Sequence, residues 1–168
     1  MAKKFVIMGV AGCGKTSVGE ALGAKFGWHY EDGDTLHPQH NIDKMERGIP
    51  LTDADRHPWL LLVGETLCTH TGSIAIGCSA LKRSYRDTIR QAAKTDVCFI
   101  HLAGTRELIE SRMAARQGHF MPVSLLDSQF AALEPPNADE NAITVDISGD
   151  LESVIAIITR SLEEQVLT

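Results

Sequence analysis

The chain has 168 residues, of which 43% are hydrophobic and 23% charged, and its net charge is −6 at pH 7. A chain of that size suits one domain that buries roughly two-thirds of its unfolded surface, so its core requires neither a disulfide nor a metal staple. The acidic balance argues against a sequence-independent grip on nucleic acid, and no run approaches the ~18 apolar residues that span a bilayer. No nucleic-acid or membrane partner is therefore expected.

The N-terminus, Met1-Ala-Lys-Lys, leads into the apolar run Phe5–Val10, which breaks into glycine-rich sequence too early for a secretory signal. Cys13, Cys68, Cys78 and Cys98 are dispersed without a CxxC pair, a pattern that fits reduced thiols and a cytoplasmic location. Phe5–Val10 reads as a first strand. Directly after it, Gly9-Val10-Ala11-Gly12-Cys13-Gly14-Lys15-Thr16 satisfies the phosphate-loop pattern G-x-x-x-x-G-K-[ST]. Its glycines let consecutive N–H groups turn toward phosphate oxygens, and the helix expected at Lys15–Phe26 aims its positive end at the same anion. Lys15 supplies a mobile cation to the outer phosphates, and the Thr16 hydroxyl is suited to ligate Mg²⁺.

A second strand is expected at Trp28–Glu31, followed by Glu31-Asp32-Gly33-Asp34. Ligands of open α/β sheets sit beyond the carboxyl ends of strands, so Asp32 and Asp34 should lie beside the phosphate loop. A carboxylate there can take a proton from an attacking hydroxyl or hold the hydration shell of a cation. The next stretch is dense in polar groups, with a broken helical segment at Pro38–Arg47. His37, Lys44, Arg47 and Arg56 are candidate ligands for a carboxylate and several hydroxyls. A helix is expected over Asp53–Thr69, with Thr52 as its N-cap and Trp59 in the core.

Ser73–Cys78 is the third strand. Beyond it, Lys82-Arg83-Ser84-Tyr85-Arg86 opens a helix at Lys82–Ala93, and cations at a helix N-terminus oppose the macrodipole, which suggests an anion to bind. A strand at Val97–Leu102 and a helix at Thr105–Arg116 follow, with Arg112 and Arg116 on one helical face. A glycine-containing break then leads to a helix at Val123–Leu133. The last elements are a strand at Ala142–Ile147 and a helix at Leu151–Val166, whose Leu151, Val154, Ile155, Ile158 and Leu162 form a face for the sheet. Alternating strands and helices predict a single α/β domain over residues 1–168, a parallel sheet flanked by helices.

No N/T-K-x-D motif is present, and neither middle strand ends in the aspartate of a usual Walker B site. A guanine-specific enzyme is thereby disfavoured. A kinase for a polyol or shikimate-like acid remains open, as does a non-catalytic nucleotide-binding regulator.

The runs MGVAGCGKT, DGDTLHPQHNIDKMERGIPLTDADRHPWL, CSALKRSYRD and RMAARQGHFMP, with QFAALEPPNADE beyond, together resemble the gluconokinase family, P-loop kinases of small molecules related to shikimate and adenylate kinases. They extend from Met8 to about Glu140, nearly the whole chain. The resemblance implies a P-loop NTPase fold with five parallel strands and a hinged helical lid at roughly residues 112–135. It also implies ATP and Mg²⁺ as cofactors, D-gluconate as substrate, 6-phospho-D-gluconate as product, and a homodimer.

By position it implies that Gly9, Val10, Ala11, Gly12, Cys13, Gly14, Lys15, Thr16 and Ser17, together with Arg112, hold the nucleotide. Thr16 and Asp32 would hold Mg²⁺. Lys15, Asp32, Asp34 and the lid residue Arg116 would serve catalysis. Asp34, His37, Lys44, Arg56, Lys82, Arg86 and His119 would face the substrate. Cys13 stands where many relatives have serine. At a helix start beside Lys15 its thiolate should be favoured and the thiol reactive, with a side chain packed under the loop and inert as the competing expectation.

Overall fold

The computed structural model describes residues 2–115 and 123–167. Five strands, β1 (Lys4–Met8), β2 (His29–Asp32), β3 (Ile74–Gly77), β4 (Cys98–Ala103) and β5 (Ala142–Asp146), pair in parallel in the order β2-β3-β1-β4-β5. Around them lie α1 (Lys15–Phe26), α2 (Gln39–Glu46), α3 (Asp53–Thr69), α4 (Arg83–Ala93), α5 (Arg106–Ala115), α6 (Val123–Ala132) and α7 (Leu151–Leu167). The three central strands β3, β1 and β4 are almost wholly buried because helices cover both faces of the sheet, while the edge strands β2 and β5 are partly exposed. Val6, Met8, Ile74, Ile76 and Phe99 pack with Trp59, Leu60, Val63 and Leu67 of α3 and with Tyr85 and Ile89 of α4. On the opposite face Phe5, Ile7, Ala75, Ile100 and Leu102 meet Val18 and Leu22 of α1, Ile109 of α5 and Val154 and Ile158 of α7. Each such aliphatic side chain contributes about 1.5–3 kcal/mol through burial.

The helices at Lys15–Phe26 and Asp53–Thr69 form with the boundaries read from sequence. Thr52 caps α3 as expected: its hydroxyl accepts from the Asp55 N–H at 3.1 Å, and the Asp55 carboxylate accepts from the Thr52 N–H at 2.9 Å. The segment expected to be broken forms two turns of helix, α2, closed by Gly48 at φ 71°.

Two expectations shift for tertiary reasons. Val10 and Cys78 extend the apolar runs beyond β1 and β3 because both are buried as loop residues beneath the sheet's carboxyl edge. On α7, Val154 and Ile158 are buried as the periodicity indicated, but Leu151 is 44% exposed, since the first turn overhangs the sheet. Trp59, assigned to the core, is buried there and also contacts the site described next.

Candidate active site

The phosphate loop joins β1 to α1. Gly12 and Gly14 take φ of 80° and 97°, the left-handed conformation that the loop's turns demand. Val18 N–H already bonds the Gly14 carbonyl at 3.0 Å, so the N–H groups before it are the ones directed out of the helix start. Lys15 arches back over the loop and its ammonium donates to the carbonyls of Gly9 at 2.9 Å and Val10 at 3.1 Å. Thr16 and Ser17 are exposed at the mouth. The Ala11 N–H donates to the Gln129 side-chain oxygen at 2.6 Å, so α6 is tied directly to the loop. Arg112 of α5 donates from Nη2 to the carbonyls of Ile147 and Gly149, beside the start of α7.

Cys13 takes the inert of its two expected forms, which corrects the reading of a reactive thiol. It is 2% exposed, and burial pushes its thiol up against the opposing pull of Lys15. Desolvation outweighs the neighbouring cation because the side chain packs into the core below the loop.

Asp32 and Asp34 follow β2 at the same edge of the sheet, where Asp32 is in register with Gly77 of β3. The Asp32 carboxylate accepts the Asp34 N–H at 2.9 Å, a side-chain turn that holds the segment in shape. The surrounding protein and then the charge of Asp32 push the Asp34 carboxyl above its ordinary range, while Lys15 pulls it down. The Asp34 side chain is 77% accessible, so that carboxyl is open to solvent and not within the core.

His37 faces Asp34 at 4.0 Å and is itself almost fully buried. It stacks on Trp59 with ring centroids 4.0 Å apart, and the Trp59 indole N–H donates to the Gly33 carbonyl at 2.8 Å. Burial, followed by the nearby Arg56, lowers His37 to about 4, so it is neutral at pH 7. The Asn41 amide lies 3.2 Å from Nδ1 of His37 and 2.9 Å from the Asp55 carbonyl. Because that amide nitrogen can only donate, Nδ1 is the acceptor and the ring proton resides on Nε2, toward Asp34. His37 therefore offers a neutral N–H, not a cation.

The other predicted substrate ligands separate into groups. Arg56 and Lys82 come together about Tyr85: Arg56 donates to the Tyr85 hydroxyl at 3.2 Å, and Lys82 lies 3.5 Å from Asp53, which accepts from Tyr85 at 2.5 Å. Lys44 is held by Asp55 at 2.6 Å in a pair that ties α2 to α3. Arg47 is exposed at the end of α2.

Arg86 is a correction. Its guanidinium is fully buried and directs all five of its donors into the protein: to both oxygens of Glu140 at 2.7 and 3.0 Å and to the carbonyls of Ala80, Leu81 and Glu134. It has nothing left for a substrate, and it clamps α4 to the segment before β5. Arg116 and His119 lie outside the described residues.

Sequence reasoning missed Gln129, Asn41, Asp55, Tyr85 and Asp53 as contributors. Gln129 and its neighbours stood within a run that carried the resemblance, yet nothing local distinguishes a glutamine that reaches the phosphate loop from one that faces water.

Among the described residues no group of three or more His, Cys, Asp or Glu side chains forms a metal cage. A hard cation carried by a nucleotide takes most of its ligands from phosphates and water and needs only one or two protein oxygens. The hydroxyl of Thr16 and the carboxylates of Asp32 and Asp34 are oxygen donors of that kind. Close to them, the buried Tyr30 hydroxyl lacks a hydrogen-bond partner among the described residues.

No family model matches the chain. The thermosensitive gluconokinase of Escherichia coli (strain K12) is 47% identical over 158 residues, covering 90% of this chain and 83% of that protein. The crystal structure of a gluconokinase from Sinorhizobium meliloti is 42% identical, with a TM-score of 0.86 and 97% of each chain covered. At 17% identity and a TM-score of 0.67, with 96% of this chain and 98% of the other covered, the APS kinase of Mycobacterium tuberculosis shares the fold alone. With the P-loop, the parallel order of the sheet and near-full-length identity to such relatives in agreement, the chain belongs to the gluconokinase family of P-loop kinases.

Proposed function

We propose that this enzyme transfers the γ-phosphoryl group of ATP to the 6-hydroxyl of D-gluconate, giving 6-phospho-D-gluconate and ADP. The observation that carries the reading is the meeting of the phosphate loop and the Asp34–His37–Trp59 wall at the carboxyl edge of one sheet, in a chain of this family.

Gly9 to Ser17 receive the nucleotide phosphates, and Lys15 leaves the carbonyls of Gly9 and Val10 to reach them. Asp34, open to solvent, takes the proton of the 6-hydroxyl as the hydroxyl oxygen bonds to phosphorus and the bond from phosphorus to ADP breaks. The neutral His37 Nε2–H orients Asp34 or a sugar hydroxyl, and Arg56 and Lys82 supply positive charge for the gluconate carboxylate. Thr16 and Asp32 hold Mg²⁺, which when bound neutralises phosphate charge. Positioning then accounts for much of the acceleration, since the phosphoryl transition state asks little covalent chemistry of the protein.

Residues 112–135 act as the lid. Arg112 contacts the nucleotide, Arg116 and His119 serve as the lid's charged and polar groups, and Gln129 reports lid position to the loop. The four cysteines are free, which accords with a cytoplasmic protein. No helix among the described residues is long and apolar enough to cross a membrane. A homodimer is the assembly we propose, and sedimentation of the purified protein tests it.

The direct experiment measures ADP release with Mg²⁺-ATP alone and with gluconate, other sugar acids and shikimate. Gluconate should stimulate release far above the rest, and Lys15→Ala should reduce it on the order of 10²-fold or more. Equal rates with and without every acceptor would refute the proposal.

A further inference from the structure

Tyr30 of β2 occupies a slot made by two glycines. A Cβ placed on Gly19 of α1 would lie 2.1 Å from its ring, and one placed on Gly77 of β3 would lie 2.3 Å from its hydroxyl oxygen. A glycine inside a helix costs about 1 kcal/mol relative to alanine, so α1 gives up helical stability at the one point where the ring crosses it. The slot sets where the hydroxyl lies. Tyr30 is in register with Ala75, but the ring leans along the strand so that its oxygen reaches Gly77, the partner of Asp32. Asp32 is two residues on from Tyr30 and so on the same face of the sheet. Thr16 lies one turn before Gly19 on the helix that the ring touches.

The hydroxyl is thus buried between the two residues assigned to the cation, and no described group meets it with hydrogen-bond geometry. A buried hydroxyl without a partner costs about 1–3 kcal/mol, while phenylalanine would fill the same slot without that penalty. The chain also lacks the aspartate that would otherwise accept a hydrogen bond from a cation-bound threonine, because β3 ends in Gly77 and is followed by Cys78, and β4 ends in Ala103 and is followed by Gly104.

We propose that Tyr30 is a positioning residue for the cation site: its oxygen accepts the Thr16 hydroxyl proton, which turns the Thr16 lone pair toward Mg²⁺, and its own proton is donated to a water of the ion's shell or to Asp32. The role rests on the reading of this edge as a Mg²⁺-nucleotide site. Outer-shell partners of this sort typically change metal affinity by about 10–100-fold.

Calorimetric titration of ADP, with Mg²⁺ and with a chelator in its place, tests the idea without turnover. In the wild-type protein Mg²⁺ should tighten ADP. In Tyr30→Phe that tightening should shrink by about 10-fold, with ADP affinity in chelator unchanged and the melting temperature no lower. In a Thr16→Val background the same tyrosine substitution should have no further effect, because Tyr30 acts through Thr16. A merely structural tyrosine would instead weaken ADP equally in both conditions, or add its effect to that of Thr16→Val. Either of those outcomes, or full wild-type tightening in Tyr30→Phe, overturns the proposal. Failure of the underlying metal reading is distinct, because it appears in the wild-type protein as ADP affinity indifferent to Mg²⁺.

Discussion

Trp59 of α3 and Gly33 of the turn after β2 are joined by a 2.8 Å hydrogen bond from the indole N–H to the glycine carbonyl. Through it, a helix of the core fixes the carboxylates on either side of Gly33, while the same indole face supports His37. Trp59→Phe keeps a ring for the stack and removes the donor. We expect a stability loss of about 1–2 kcal/mol, the usual cost of leaving one buried carbonyl unpaired. The KM for gluconate should rise several-fold with little change in that for ATP, because the bond steadies the acceptor side. Equal changes in both constants would separate Trp59 from the acceptor wall.

Asp32 and Asp34 should fail differently when each is changed to asparagine. The Asp34 side chain is 77% accessible and free to meet an acceptor, so Asp34→Asn should lose acceptor-dependent turnover while still binding ATP. Asp32 shapes the turn by accepting the Asp34 N–H, and its second oxygen is the one available to a cation, so Asp32→Asn should show altered Mg²⁺ dependence. Steady-state assays over a Mg²⁺ series distinguish the two. Wild-type behaviour of both variants at saturating Mg²⁺ and gluconate would reduce the turn to a structural element.

Glu140 and Arg86 form a buried pair, 1% and 0% exposed, that joins the segment before β5 to α4. Burial alone would raise the Glu140 carboxyl, but Arg86, the Asn137 N–H and Arg90 hold it down at about 2. A carboxyl depressed on folding stabilises the protein above its unfolded pKa. This contribution is therefore complete above about 4.5 and is lost as pH falls toward about 2. Glu140→Gln should cost about 3–5 kcal/mol at neutral pH by leaving the Arg86 charge unmatched. Urea unfolding at a series of acidic pH values should show the gap between wild type and variant narrowing in that window. A constant gap would assign the stabilisation elsewhere.

Cys13 should resist alkylation, because burial raises its thiol despite Lys15. Cys78 and Cys98 are also buried, and desolvation pushes them up to about 12 and about 11. Cys68 is exposed and should be labelled first by iodoacetamide, with activity retained. Peptide mapping beside an activity assay tests this. Rapid loss of activity that Mg²⁺-ATP prevents and Cys13→Ser abolishes would restore a reactive loop thiol.

The sequence by itself determined the order of strands and helices, the phosphate loop, the cap at Thr52 and the carboxylates after β2. These depend on local periodicity, glycine placement and spacing, which the chain carries at short range. Contacts between distant segments were decided by tertiary structure. Arg86 reads locally as one of a basic group at a helix start, and only the approach of Glu140, 54 residues away, makes it structural. Cys13 reads as a thiol beside a cation, yet packing below the loop lets desolvation prevail. Gln129 becomes part of the site through a bond to Ala11 across 118 residues, and Tyr30 through the slot that Gly19 and Gly77 leave open. Burial and charge environment depend on which segments the parallel sheet brings side by side, and no local pattern encodes that adjacency.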